Sequence, residues 1–209
     1  MPIIHSLKIK WRTYDFFFQA PFQVLYRAET KGIESSLLSC ILKLINPKDE
    51  IIDIGANYGF ISLISGFYVK ESCGKIYSFE SEKFIYENLK ETIEKNNLVE
   101  TIETYHAFVW SNDKGNRITI DTLLNGRLSN LSLIKIDTDG SDFECLRGCE
   151  NIIDKFKPFI IIELNQNGNI IIKWLKDNGY QYFYDQYFNI IKNDSFPPNL
   201  IASTNVVSI

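Results

Sequence analysis

"IIDIGANYGF", residues 51–60, is a β-branched run that halts at one glycine, passes a second and re-enters apolar sequence. It reads as a buried strand over Glu50–Ile54, a turn punctuated by Gly55 and Gly59, and a helix from Phe60 to Val69. The same succession repeats down the chain. Lys75–Phe79 predicts a second strand ending at Glu80, and residues 81–96 a charged amphipathic helix. Thr101–Tyr105 and Leu131–Ile136 predict the third and fourth strands, and Asp142–Phe156 a helix. Phe159–Leu164 predicts the fifth strand, and Ile170–Asn178 a helix closed by Gly179. Strands alternating with helices imply βαβ units: an α/β, doubly wound, mostly parallel sheet. The apolar centres of the fourth and fifth strands suit a sheet covered on both faces.

The flanks read differently. Tyr180–Tyr184 and Phe188–Ile191, joined by a tight turn, and Leu200–Val207 predict an antiparallel addition at the sheet edge. Asp121–Leu124 reads as a short helical turn. Residues 1–46 read as helix and loop, with Glu34–Ile45 a helix ended by Asn46-Pro47. The expected organisation is an N-terminal helical extension over 1–46 and one main domain over 47–209.

Composition narrows the function. The 209 residues carry a net charge of −4 and are 45% hydrophobic, enough for a sizeable core but unlike a general nucleic-acid binder. Lys8, Lys10 and Arg12 read as a solvated N-terminal face. No apolar run approaches the ~20 residues of a spanning helix, and no signal-peptide pattern opens the chain, so the expected setting is cytoplasmic, without a membrane span. Cys40, Cys73, Cys145 and Cys149 form no C-x-x-C pair; Cys145 and Cys149, one helical turn apart, read as packing thiols. With only His5 and His106, histidine metal sites and Ser-His-Asp triads are disfavoured.

In a doubly wound sheet, ligands bind beyond the C-terminal ends of the strands. Gly55 and Gly59 make a G-x-x-x-G turn, and Asn57 stands where a dinucleotide fingerprint would need a glycine beside the pyrophosphate. That disfavours nicotinamide dinucleotides. Asp53, at the end of the first strand, suits a cationic or amine-bearing ligand. Glu80, ending the second, suits two ribose hydroxyls. An acid in the first turn, a ribose acid and no phosphate cradle together point to a nucleoside carrying positive charge, and S-adenosylmethionine fits.

"DIGANYGF" (53–60), "YSFE" (77–80) with "ENLK" on the following helix, "ITIDTLL" (118–124), "LIKIDTDGSDFECLRG" (133–148) and "KPFIIIEL" (157–164) resemble the FkbM-type S-adenosylmethionine-dependent methyltransferases. The resemblance runs over roughly residues 30–165, with a weaker echo in "NLIAS" (199–203). It implies a Rossmann-like, seven-stranded sheet with an antiparallel C-terminal hairpin. It also implies methyl transfer, most often to a hydroxyl of a sugar or natural product, with N-methylation known as well. By position, Asp53, Gly55, Ala56, Asn57 and Gly59 would line the methionine end of the cofactor, Glu80 would hold the ribose, and Ala107 would lie near the adenine. The chain lacks the proline that often follows the second-strand acid and the histidine often seen after the fifth-strand acid. The stretch between Ser111 and Asp121 is short. The acceptor pocket is therefore either wide or completed by a partner, which leaves a homo-oligomer open.

The acidic stretch from Asp137 fails as an EF-hand: its glycine falls at the fourth position and Gly148 at the twelfth. It carries no complete metal ligand set, so no metal is assigned. Asp137 ends the fourth strand beside the switch point, where an acceptor would face the sulfonium. A hydroxyl nucleophile gains from a base, and with so few histidines carboxylates are the candidates. Asp137 comes first, Glu163 second; Asp139 would bind acceptor hydroxyls, and Asp137 could also touch the cofactor. Asp142 reads as a residue of the helix N-terminus, and Lys135 as a structural, outward-facing strand residue. The expected function is O-methylation of a saccharide or small-molecule acceptor. N-methylation of a peptide or amine, and a non-catalytic cofactor-binding scaffold, stay open as alternatives.

Overall fold

The computed structural model describes residues 2–30, 32–164, 167–191 and 196–207. The chain begins with a hairpin of β1 (Ile4–Trp11) and β2 (Tyr14–Pro21), then α1 (Phe22–Thr30) and α2 (Ser35–Leu44). The main succession follows: β3 (Glu50–Ile54), α3 (Phe60–Val69), β4 (Lys75–Glu80), α4 (Lys83–Lys95) and β5 (Ile102–His106). A small excursion contains β6 (Phe108–Val109), β7 (Arg117–Ile118) and α5 (Ile120–Leu123). Then come β8 (Leu131–Ile136), α6 (Asp142–Arg147), α7 (Glu150–Phe156), β9 (Phe159–Glu163), α8 (Gly168–Asp177), β10 (Tyr182–Tyr184) and β11 (Asn199–Ser203).

Seven strands form one sheet in the order β10-β11-β9-β8-β3-β4-β5, with β3, β4, β5, β8 and β9 parallel and β11 antiparallel to both neighbours. Alternation along each strand divides the core. Ile51, Ile76, Leu133 and Ile161 face α2, α3 and the N-terminal hairpin; Ile52, Ile54, Ile134 and Ile160 face α6, α7 and α8. The strand order reverses between β3 and β8, and that switch point carries the site.

The five parallel strands fall within a residue of their expected positions, because each is a short run of β-branched, aromatic or alternating apolar residues bounded by turn residues. Three other expectations need correction. The helix-and-loop reading of residues 1–46 missed the hairpin. β1 buries only Ile9 and Trp11, and the Phe16-Phe17-Phe18 run of β2 hides its alternation, Phe17 pointing outward and its neighbours inward. Asp142–Phe156 is two helices. Gly148 packs so closely on the Trp110 carbonyl oxygen that a Cβ would lie 2.2 Å from it. The Asp121 carboxylate then accepts the Asn151 and Ile152 N–H groups at 2.9 and 3.0 Å, starting the second helix. Finally, Tyr182–Tyr184 pairs with Asn199–Ser203 rather than with Phe188–Ile191, where only Ile190 bridges back to Tyr184. The Asp185 carboxylate accepts the Tyr187 and Asn189 N–H groups and holds that stretch as a turn. No helix among the described residues is long and apolar enough to cross a membrane.

Candidate functional site

A polar row crosses the middle of the sheet. In register, Asp53 of β3 stands between Ser78 of β4 and Lys135 of β8. Lys135 Nζ lies 3.2 Å from Asp53 Oδ1 and donates to the Gly55 carbonyl at 2.9 Å. Ser62, on α3 above the row, donates to Asp53 Oδ2 at 2.5 Å and accepts from Ser78 at 2.8 Å. The outer end of the row is Asp137, whose Oδ2 is 3.7 Å from Lys135 Nζ. Burial by itself would push the Lys135 ammonium down, but the carboxylates of Asp53, Asp137 and Glu34 outweigh it and hold it above the usual lysine range.

Two expectations fail here. Lys135 does not face outward: it is 3% exposed. Asp53 does not line a ligand wall: at 1% exposure it lies under the cleft floor, committed to Lys135 and Ser62. Both side chains belong to the face that Leu133 and Ile51 share, and strand periodicity carries them inward.

The turn after β3 has two glycines with separate reasons. Gly55 has φ +74°, and a Cβ there would sit 1.8 Å from the Asp137 carbonyl oxygen, so the end of β8 crosses directly over it. Gly59, at φ +88°, would push a Cβ to 2.3 Å from Leu89 Cδ1. Gly59 thus serves helix packing and, contrary to expectation, lines neither of the clefts described next. Ala56 and the left-handed Asn57 do reach a cleft wall.

Two clefts, each about 300 Å³, flank this turn. The first runs between the ends of β4, β5 and β8. Glu80 lines it with Ala107 and Phe108. One Glu80 oxygen accepts the Asn57 N–H at 2.9 Å and the other the Glu82 N–H at 2.8 Å, which fixes the carboxylate and leaves lone pairs toward the cleft.

The second cleft lies toward the N-terminal elements. Phe18 of β2, Val24 and Arg27 of α1, and Ile33 and Glu34 before α2 face Ala56, Lys135 and Asp137 across it. Gly55, Asn57, Asp137 and Asp139 line both clefts. Asp139 is exposed and left-handed, at φ +51°. Arg27 and Glu34 escaped the sequence reading, since nothing in their local pattern marks them. Glu34 keeps solvent contact along the cleft, yet the crowding walls raise its carboxyl above the usual range; Asp137, Asp53 and Glu163 add to that and Lys135 opposes it. Glu163 ends β9, outside the lining of both clefts, and reaches the site through this electrostatic effect.

Asp142 is 3% exposed and clamps the turn that follows Asp137. It accepts the Thr138 N–H and hydroxyl at 2.9 and 3.1 Å and the Gly140 N–H at 3.2 Å. Among the described residues, no three His, Cys, Asp or Glu side chains are placed to hold a metal ion. Cys145 and Cys149 are buried thiols on α6 and just before α7; burial pushes Cys145 up to about 11.

Comparison with known proteins agrees with this architecture. Residues 114–182 match the family model described as Methyltransferase FkbM domain, which takes in β7, α5, the acidic stretch and β9. No curated protein matches the chain by sequence. Among solved structures, methyltransferase FkbM from Methylobacillus flagellatus KT superposes with a TM-score of 0.58 at 16% identity, over 76% of this chain and 44% of that one. A SAM-dependent O-methyltransferase from Thermotoga maritima gives 0.58 at 12% identity, over 97% and 79%. M. capricolum TrmK, solved with S-adenosyl-homocysteine, gives 0.54 at 20% identity, over 80% and 67%. At these identities the likeness is one of fold. The chain spans less than half the length of the Methylobacillus protein.

Proposed function

We propose that this chain, a methyltransferase of the FkbM type that uses S-adenosylmethionine, methylates a hydroxyl oxygen on a sugar or small natural product. The observation that carries the reading is the shared wall: Asp137 stands partly exposed at the junction of two clefts of similar size. One cleft suits an adenosine, with the fixed Glu80 carboxylate for a ribose diol and Ala107 and Phe108 for a flat base. The other mixes apolar walls with carboxylates and the cations Arg27 and Lys135, a lining that suits a polar acceptor. S-adenosylmethionine supplies the electrophilic methyl group. Asp137 accepts the hydroxyl proton of the acceptor during attack, and Asp139, exposed beside it, binds further hydroxyls. Glu163 is the alternative base. Gly55 lets the end of β8 come close enough to bring Asp137 to the junction. The O-methyltransferase from Thermotoga maritima shares the fold and supports the oxygen-directed reading by analogy. A cytoplasmic setting belongs to the same proposal, since Cys40, Cys145 and Cys149 are buried thiols rather than disulfides.

The test is a gain of one methyl mass on acceptors from a panel of glycosides, phenols and amines incubated with S-adenosylmethionine. Methylation confined to amines would replace oxygen by nitrogen as the target. Cofactor binding without methylation of any panel member would turn the reading into that of a binding scaffold.

A further inference from the structure

The methionine end of the cofactor carries an ammonium and a carboxylate, and the burial of Asp53 removes the residue expected to meet the ammonium. Asp53 Oδ1 faces Lys135 at 3.2 Å and Oδ2 accepts from Ser62 at 2.5 Å, so neither oxygen reaches a ligand. The cleft wall beside Gly55 and Ala56 instead offers one cation and one anion from the segment before β3, Arg27 and Glu34. Among the described residues, neither side chain forms an ion pair.

The backbone at Glu34 gives this pair a second support. Glu34 has φ +49°, a left-handed conformation that costs a residue with a Cβ free energy, and it stands at the N-cap of α2. Its side chain makes no capping hydrogen bond. Ser, Thr, Asp or Asn would cap the helix, and Gly would adopt this conformation without strain. A glutamate here does neither job; the longer side chain places its carboxylate in the cleft opposite Lys135 and Asp137. Strained backbone retained at a cleft wall marks a position selected for what its side chain reaches.

We infer that Arg27 and Glu34 bind the amino-acid end of S-adenosylmethionine as a zwitterion, Glu34 taking the ammonium and Arg27 the carboxylate. This rests on the cofactor reading above. It makes the N-terminal segment part of the cofactor site as well as a wall for the acceptor. A planar guanidinium pairs two-pronged with a carboxylate, and a carboxylate accepts the ammonium donors. Lys135 is unsuited to the cofactor carboxylate, because its ammonium already lies between the Asp53 and Asp137 carboxylates and donates to the Gly55 carbonyl.

Three probes separate the contributions by calorimetry on the full chain. S-adenosylhomocysteine has both charged groups, decarboxylated S-adenosylhomocysteine keeps only the amine, and 5′-methylthioadenosine has neither. Glu34→Gln should weaken the first two by about ten- to hundredfold, the range for a hydrogen bond to a charged group, and leave the third unchanged. Arg27→Gln should weaken only S-adenosylhomocysteine. Glu34→Gly, which relieves the left-handed backbone, should melt no lower than the wild type and still lose the same affinity. Wild-type affinity for S-adenosylhomocysteine in both Gln variants would overturn the inference, as would an equal loss for 5′-methylthioadenosine. A wild-type protein that binds none of the three probes overturns the cofactor reading itself, a result distinct from either of those.

Discussion

Lys135 and Asp53 are register neighbours on β8 and β3, and their side chains meet 3.2 Å apart with neither more than 4% exposed. Removing one member of such a pair strands the other charge in the core. Lys135→Met should therefore cost about 3–5 kcal/mol, read by urea denaturation. A double variant, Lys135→Met with Asp53→Leu, should recover much of that loss, because no uncompensated charge is left. A single-variant loss under about 1 kcal/mol would show that the pair is far better hydrated than its burial indicates.

Among the described residues, Asp137 has one side-chain partner, the Lys135 ammonium at 3.7 Å, and no capping bond to a backbone N–H. Asp137→Asn keeps the shape and removes the proposed base. Single-turnover methylation should slow by about 10²- to 10⁴-fold while affinity for S-adenosylhomocysteine changes little. A normal single-turnover rate would pass the role to Glu163.

Glu80 should be the main anchor of the ribose. Glu80→Ala is expected to weaken S-adenosylhomocysteine and 5′-methylthioadenosine alike by roughly 1.5–3 kcal/mol, and nicotinamide dinucleotides should show no heat of binding to the wild type. The same change also frees the Asn57 and Glu82 N–H groups, so a lower melting temperature should accompany it. Tight NAD binding would contradict the G-x-x-x-G reading directly.

Glu34 gives stability a pH dependence of definite sign. Its folded carboxyl sits above the ordinary 4.5, first through loss of water, with Asp137, Asp53 and Glu163 adding and Lys135 opposing. The folded state then holds the proton more firmly than the unfolded chain. This contribution to stability is fully present below the unfolded value and is lost as pH rises through the folded one. Glu34→Gln should flatten that decline in urea titrations run from pH 4 upward, and an unchanged slope would count against it.

Chelation should leave turnover intact. Asp142, the third acid of the stretch, spends its oxygens on Thr138 and Gly140, which leaves Asp137 and Asp139 as an incomplete set of ligands. Full loss of activity in EDTA, restored by Mg²⁺ alone, would show otherwise.

The sequence by itself determined the βαβ frame and two positions on it. β-branched runs that alternate with helical stretches read as buried parallel strands, and the ligands of such a sheet bind beyond the C-terminal ends of its strands. Glu80 and Asp137 are therefore legible as candidate site residues from the strand pattern alone. Gly55 is legible as a turn, though not its reason, since the carbonyl of Asp137 comes from a strand far along the chain. Tertiary structure alone decided the rest. Whether Asp53 meets ligand or Lys135 depends on the register between β3 and β8, which local pattern does not encode. The hairpin before α1 and the arrival of Arg27 and Glu34 at the cleft depend on how an N-terminal segment packs on α3 and α4. Local periodicity reports which face of an element is apolar; which distant element covers that face, and which charged side chains come with it, is fixed only when the core closes.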